Sequence, residues 1–287
     1  MQFQKLILSV TAVTMLTAVP AIAVPFSFST GNPDGLMAMA TRPDSGGFEI
    51  ETADDFILAN PTRIKGATFT GIMPNAGSVG QITVEIYRVF PKNSDVSRTS
   101  GPPNFSTVKV PTRVNSPSDD ALDSRDSAFA TLTYTSHLLA NSFATNNSVI
   151  PGGIQPFPNQ TTGGNGPASG EEVRFDVAFS TPFSLAPGHY FFVPQVQVTS
   201  GGDFLWLSAP RPITGGTGPF NPDLQVWTRD EFLQPDWLRV GTDIVGRGAF
   251  NATFSLRGRI PEPSSLAIFA AGLIGLGFLG WRQRTYQ

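Results

Sequence analysis

The chain has 287 residues, no cysteine, only 14% charged residues and a formal net charge of −3. These values exclude disulfides and thiolate metal sites, and with no basic stripe they argue against a nucleic-acid partner. Glycine and proline together make 54 residues (29 + 25), about 19% of the chain and below the roughly 25–30% that marks disorder. The 40% hydrophobic content is enough for a sizeable core.

The N-terminus reads as an export signal. Lys5 supplies a positive charge, Leu6 to Val19 is apolar apart from scattered Ser and Thr, and Pro20 breaks the helix. Ala21 and Ala23 then place small residues at the two key cleavage positions, so residues 1–23 form a secretory signal peptide. The apolar run of 14 residues is too short to span a bilayer.

Residues 24–259 read as one all-β body. In "VRFDVAF", Val173, Phe175, Val177 and Phe179 alternate with polar residues, and "QITVEIYRVF" does likewise with Ile82, Val84 and Ile86. "FNATFSLRGR" places Phe250, Ala252, Phe254 and Leu256 on one face, a half-buried strand. Further runs at 46–58, 63–72, 128–135, 189–198, 203–208 and 224–229 are rich in β-branched and aromatic residues and bounded by turn formers. Nine or more strands without a convincing helix predict a single β-sandwich of jelly-roll type. Long polar connections at 91–126 and 141–171 are the expected binding surface.

Few residues in the body point to chemistry. His137 and His189 sit at strand edges with no carboxylate at a diagnostic spacing, and no G-x-S-x-G elbow occurs. Asp119, Asp120, Asp123 and Asp126 form a weak calcium candidate, although their spacing does not match a D-x-D-x-D-G loop. Trp206 lies in a run apolar on both faces and belongs to the core. Trp227 and Trp237, near a Gly/Pro-rich loop, are the candidates for stacking on a sugar ring. Thr131, Thr133 and Thr135 make one row, not the repeated array a flat ice-binding face needs. The N-x-S/T sequons at Asn104, Asn146, Asn159 and Asn251 are incidental. No cofactor and no enzymatic activity are expected.

The C-terminal segment, residues 260–287, is the most informative. Pro261 and Pro263 fix the start of an apolar helix over 264–281, whose uncharged stretch Leu266–Trp281 is sixteen residues long. At 1.5 Å per residue that stretch covers about 24 Å, a marginal bilayer span. Arg282 and Arg284 close it, and export of the body leaves them on the cytoplasmic side. Pro261-Glu262-Pro263, a glycine-rich span and a terminal arginine pair, in that order, resemble the PEP-CTERM sorting signal of exported Gram-negative proteins. The resemblance implies processing near the triplet by an exosortase, a membrane-embedded cysteine transpeptidase. It also implies passage through the secretion machinery, a transient inner-membrane anchor, and final residence at the cell surface or in the extracellular matrix. Extracellular polysaccharide is then a candidate partner, and the alternative to a structural or interaction role is a carbohydrate-binding module. The body resembles uncharacterised PEP-CTERM proteins with a "DDF" strand, here Asp54-Asp55-Phe56, a likeness that brings no chemistry with it.

Cleavage after Ala23 is expected, giving a mature chain that begins at Val24. N-terminal mass spectrometry of the exported protein checks this. A terminus at Met1 would contradict it.

Overall fold

The computed structural model describes residues 23–74, 77–95, 113–154, 161–199, 201–210 and 224–262. Two units divide the chain: Pro25–Pro261, and the terminal segments Met1–Val24 with Glu262–Gln287. Of the second unit only Ala23, Val24 and Glu262 are described. The expected signal peptide and the expected span over 264–281 therefore lie almost wholly outside the described residues. Among the described residues no helix is long and apolar enough to cross a membrane.

Strands dominate the body. In chain order they are β1 (Val24–Ser29), β2 (Met37–Ala40), β3 (Ile50–Leu58), β4 (Thr62–Met73) and β5 (Val79–Arg88). Then come β6 (Asp123–Asp126), β7 (Leu132–Thr145), β8 (Asn147–Val149), β9 (Ala168–Leu185) and β10 (Gly188–Val198). The last five are β11 (Leu205–Ala209), β12 (Trp227–Asp230), β13 (Leu238–Arg239), β14 (Asn251–Ala252) and β15 (Phe254–Ile260). Helical structure among the described residues is confined to short turns such as Asp44–Gly46 and Val240–Ile244.

Two sheets result. Six strands run β13-β12-β3-β10-β5-β6, and nine strands build the other along β1-β15-β4-β11-β2-β8, with β9 on β4, β7 on β9 and β14 on β11. Side chains from both sheets share one apolar cluster. Phe192 of β10 stacks on Phe254 of β15 with ring centroids 5.0 Å apart and planes 10° from parallel. Phe69 of β4 lies 6.3 Å from the same Phe192, and Trp206 of β11 donates its indole N–H to the Thr253 carbonyl at 2.7 Å. Bringing β4 against Phe204 requires a glycine at 71, because a Cβ there would lie 2.2 Å from the Phe204 ring.

The six-stranded sheet is apolar on both faces. Along β10, Phe192 and Val196 point into the shared cluster, while Phe191 and Val193 join a smaller one with Ala53, Tyr87, Leu224, Trp227 and Trp237. Burial on both sides explains why "YFFVPQV" is a nearly continuous apolar run instead of an alternating one.

The run at 250–259 departs from the expected half-buried strand. Asn251 and Thr253 are buried as well as Phe250 and Ala252, because the chain changes partner at Thr253. Ala252 faces Ser208 of β11, whereas Phe254 faces Phe69 of β4. The polar connections also hold more structure than expected: β6 lies inside 91–126, and residues 141–171 contain the end of β7, all of β8 and the start of β9. Parts of both connections, 96–112 and 155–160, lie outside the described residues.

Phe254→Ala should destabilise the body by about 3–5 kcal/mol, because the deleted ring sits between the sheets. Urea unfolding would show this as a lower midpoint. An unchanged midpoint would contradict the inter-sheet stacking.

Candidate functional site

The two aspartates of the "DDF" strand lie on opposite faces of β3 and serve as ties. Asp54, fully buried, accepts the Ala252 backbone N–H at 2.8 Å and so holds β14 from within the shared cluster. Asp55 faces the other way. It accepts the Leu224 N–H at 3.0 Å through one oxygen and meets His189 Nε2 at 2.6 Å through the other. His189 thus has a carboxylate partner that spacing could not reveal, since 134 residues separate the two. The pair's side chains are only 5% and 2% exposed, which closes it to a substrate in this conformation. His137 also has a partner, Asp176 at 3.1 Å, in a surface group shared with Arg174.

The smaller apolar cluster surrounds a buried polar network centred on Glu51 and Arg229. Adjacent positions of β3 and β12 bring these side chains together, in register Arg229 opposite Glu51. Arg229 Nε donates to Glu51, Nη2 donates to the Tyr87 hydroxyl at 3.0 Å, and Nη1 donates to the carbonyls of Asp119 and Pro235. Its guanidinium lies 4.3 Å from the Trp237 ring centre. Tyr87 donates to Glu51 at 2.5 Å and lies 3.1 Å from Glu85. Glu49, just before β3, closes the group, accepting from Gln195 at 2.8 Å and Gln234 at 3.3 Å.

Electrostatics follow from three carboxyls gathered around one cation. Burial and the neighbouring Glu51 push the Glu85 carboxyl up to about 8, and the same two causes raise Glu49. Burial and Glu51 also raise Tyr87, so its hydroxyl stays a donor. Burial disfavours the charge on Arg229, but Glu51 outweighs it and holds the guanidinium protonated. Ligand oxygens of Glu49, Glu51 and Glu85 lie within 4.8 Å of one another, so these three could hold a cation. Arg229 and the proton on Glu85 already balance much of that charge, which is the arrangement of a structural network.

The expected sites fare differently. Trp227 and Trp237 are each 1% exposed, so neither offers a face to a sugar ring. Trp237 is held by its N–H to the Ser118 carbonyl at 3.0 Å and packs edge-on against Tyr87. The segments that cover the outer face of the six-stranded sheet bury both indoles, a long-range effect that the nearby loop composition concealed. Trp206 is buried, as its run implies.

The acidic candidates do not converge either. Asp119 is buried against Arg113, Asp120 is exposed, and Asp123 pairs with Arg125 at 2.5 Å. Asp126 accepts from Gln81 at 2.6 Å and from the Ala128 N–H. Only Asp123 and Asp126 lie on strand β6, and Asp119, Asp123 and Asp126 are each engaged by a different partner. Thr133 and Thr135 are exposed on β7, but the β9 residues opposite are Ala178 and Asp176, so no second threonine row adjoins them. Asn251 is fully buried. Asn104 and Asn159 lie outside the described residues. Spacing gave no hint of the Glu51–Arg229 network, because its members are 178 residues apart.

At the C-terminus, β15 passes directly into Pro261 and Glu262. Pro263, Arg282 and Arg284 lie outside the described residues. Residues 259–284 match the PEP-CTERM protein-sorting motif family. The motif implies export, a membrane-anchored intermediate and processing by an exosortase. No curated protein and no solved structure matches the chain.

Glu85 makes stability pH-dependent. Below about pH 4.5, the ordinary glutamate value, folded and unfolded chains both hold its proton; up to about 8 only the folded chain does. Stability should therefore fall as pH rises through this window, with a slope of up to about 1.4 kcal/mol per pH unit for one proton. Glu85→Gln keeps a neutral side chain and should flatten the slope in urea titrations between pH 5 and 8. Equal slopes for the two proteins would contradict a protonated Glu85.

Proposed function

We propose that the protein is an exported structural or interaction protein of the cell surface or extracellular matrix, carried there through its sorting tail. The match over residues 259–284 carries this reading. In it, residues 1–23 direct export, residues 264–281 anchor the protein briefly in the inner membrane, and exosortase cuts near Pro261-Glu262-Pro263. Arg282 and Arg284 hold the cytoplasmic end. The four glycines of the span, at 272, 275, 277 and 280, lower its helix propensity, which suits a segment that a protease must unwind.

The two sheets are read as the layers of one β-sandwich serving as a display body without catalysis or cofactor. Support comes from the use of its buried polar groups: Asp54, Asp55, Glu51 and Arg229 all hold strands or covering segments in place. Burial of Trp227 and Trp237 removes the contacts on which a carbohydrate-binding module was expected to rest, so the structural or interaction role is preferred.

Fractionation of the native host tests the reading. Wild-type protein should lack the span, whereas Glu262→Ala, or loss of the exosortase, should leave a full-length form in the membrane fraction. Wild-type protein that keeps its tail beside an active exosortase would contradict it.

A further inference from the structure

Next to the sorting tail, the body carries a cluster of exposed cations. Arg63 and Lys65 of β4 and Arg257 and Arg259 of β15 are all exposed. The strands pair so that Arg259 stands directly opposite Arg63, and Arg257 opposite Gly66. Like charges placed face to face across a ladder are destabilising unless an anion or solvent offsets them. Acidic residues are sparse around them: none occurs in residues 24–30, 59–66, 181–188 or 255–261, Asp176 of β9 is engaged by His137 and Arg174, and Glu262 follows Arg259 by three residues. Among the described residues, none of the four cations makes an ion pair.

One member is held in place. Arg257 donates to the Val177 carbonyl of β9 at 3.1 Å, lying across β4 where Gly66 leaves room. A Cβ on Gly66 would fall 2.7 Å from that guanidinium. The pairing of β4 with β15 is irregular at the same place, between Arg257 and Gly258.

Chain length then limits how far this patch can be from a bilayer. Four residues lie between Arg259 and Ser264, the expected start of the span, and the five steps along the chain, at about 3.6 Å each, reach at most roughly 18 Å. Anionic lipid attracts basic groups within about a Debye length, roughly 8 Å at physiological salt. The patch is tethered within easy reach of that layer.

We propose that Arg63, Lys65, Arg257 and Arg259 form a docking face that lays the body on the anionic phospholipid surface beside its own anchor. A polybasic patch adds an electrostatic contact to a hydrophobic anchor, and by itself the patch holds a protein on the membrane only weakly. Cutting the tail removes the first signal and leaves only a salt-sensitive contact, which favours release. The proposal rests on the sorting-tail reading for the presence of the membrane, but not for the chemistry of the patch.

Full-length protein reconstituted in vesicles of neutral phosphatidylcholine, or of phosphatidylcholine with phosphatidylglycerol, tests it. Amine labelling of Lys65, compared with exposed Lys92 as internal control, reports the contact. Labelling of Lys65 should slow several-fold on anionic vesicles relative to neutral ones, and recover in high salt. Arg63→Gln combined with Arg259→Gln should abolish the difference while leaving the urea midpoint no lower. Equal Lys65 labelling on the two vesicles would overturn the docking face. So would protection by a soluble anionic polysaccharide without protection by vesicles. Flotation separates the two readings: a chain that fails to float with neutral vesicles lacks an inserting tail, whatever Lys65 reports on anionic ones.

Discussion

Strand β15 joins the fold to the sorting tail. It lies between β1 and β4 in the nine-stranded sheet, and its Phe254 and Leu256 are buried in the cluster shared by the two sheets. The start of the body meets it there. The Thr30 N–H donates to the Phe254 carbonyl at 3.0 Å, the Thr30 hydroxyl to the Ala252 carbonyl at 2.7 Å, and the Phe254 N–H returns a bond to Thr30 at 2.8 Å. The two ends of the body are thus closed against each other. Residues separated by 224 positions must meet before the core is complete. The sorting motif begins at the end of the last of these strands, so the body finishes folding only when its C-terminal strand has been delivered.

The buried charges obey the same logic of closure. Arg229 reaches Glu51 on the neighbouring strand and two carbonyls of covering segments, tying β3, β12 and the segments at Asp119 and Pro235 into one unit. Asp54 and Asp55, adjacent in sequence, secure β14 on one face of the sheet and His189 with Leu224 on the other. Breaking such a pair by removing one partner is costly because the other charge stays buried. These residues account for the cohesion of the body.

Much of the strand content was legible. Val173 to Phe179, Ile82 to Ile86 and the 189–198 run all fall in strands because period-two alternation and β-branched content are local properties. Short elements escaped. The "MAMA" of β2 is buried at every position, "DSRD" of β6 is wholly polar, and β8 is three residues long, so none shows alternation. Partnerships escaped for a different reason. Asp55 with His189, and Glu51 with Arg229, depend on which strands lie side by side, and spacing along the chain does not encode that. The buried state of Trp227 and Trp237 likewise depends on covering segments far away in sequence. The sorting motif was readable because its residues follow one another along the chain and need no fold to bring them together.

The dependence of the body on β15 is tested most directly by two chains that both begin at Val24, one ending after Pro261 and one after Thr253. Urea unfolding of the longer chain should be a single cooperative transition. The shorter lacks Phe254, Leu256 and the ladder to β4, and should show no cooperative transition. If the chain ending at Thr253 unfolds cooperatively at the midpoint of the longer one, the last strand does not close the fold and the link between folding and the sorting tail is contradicted.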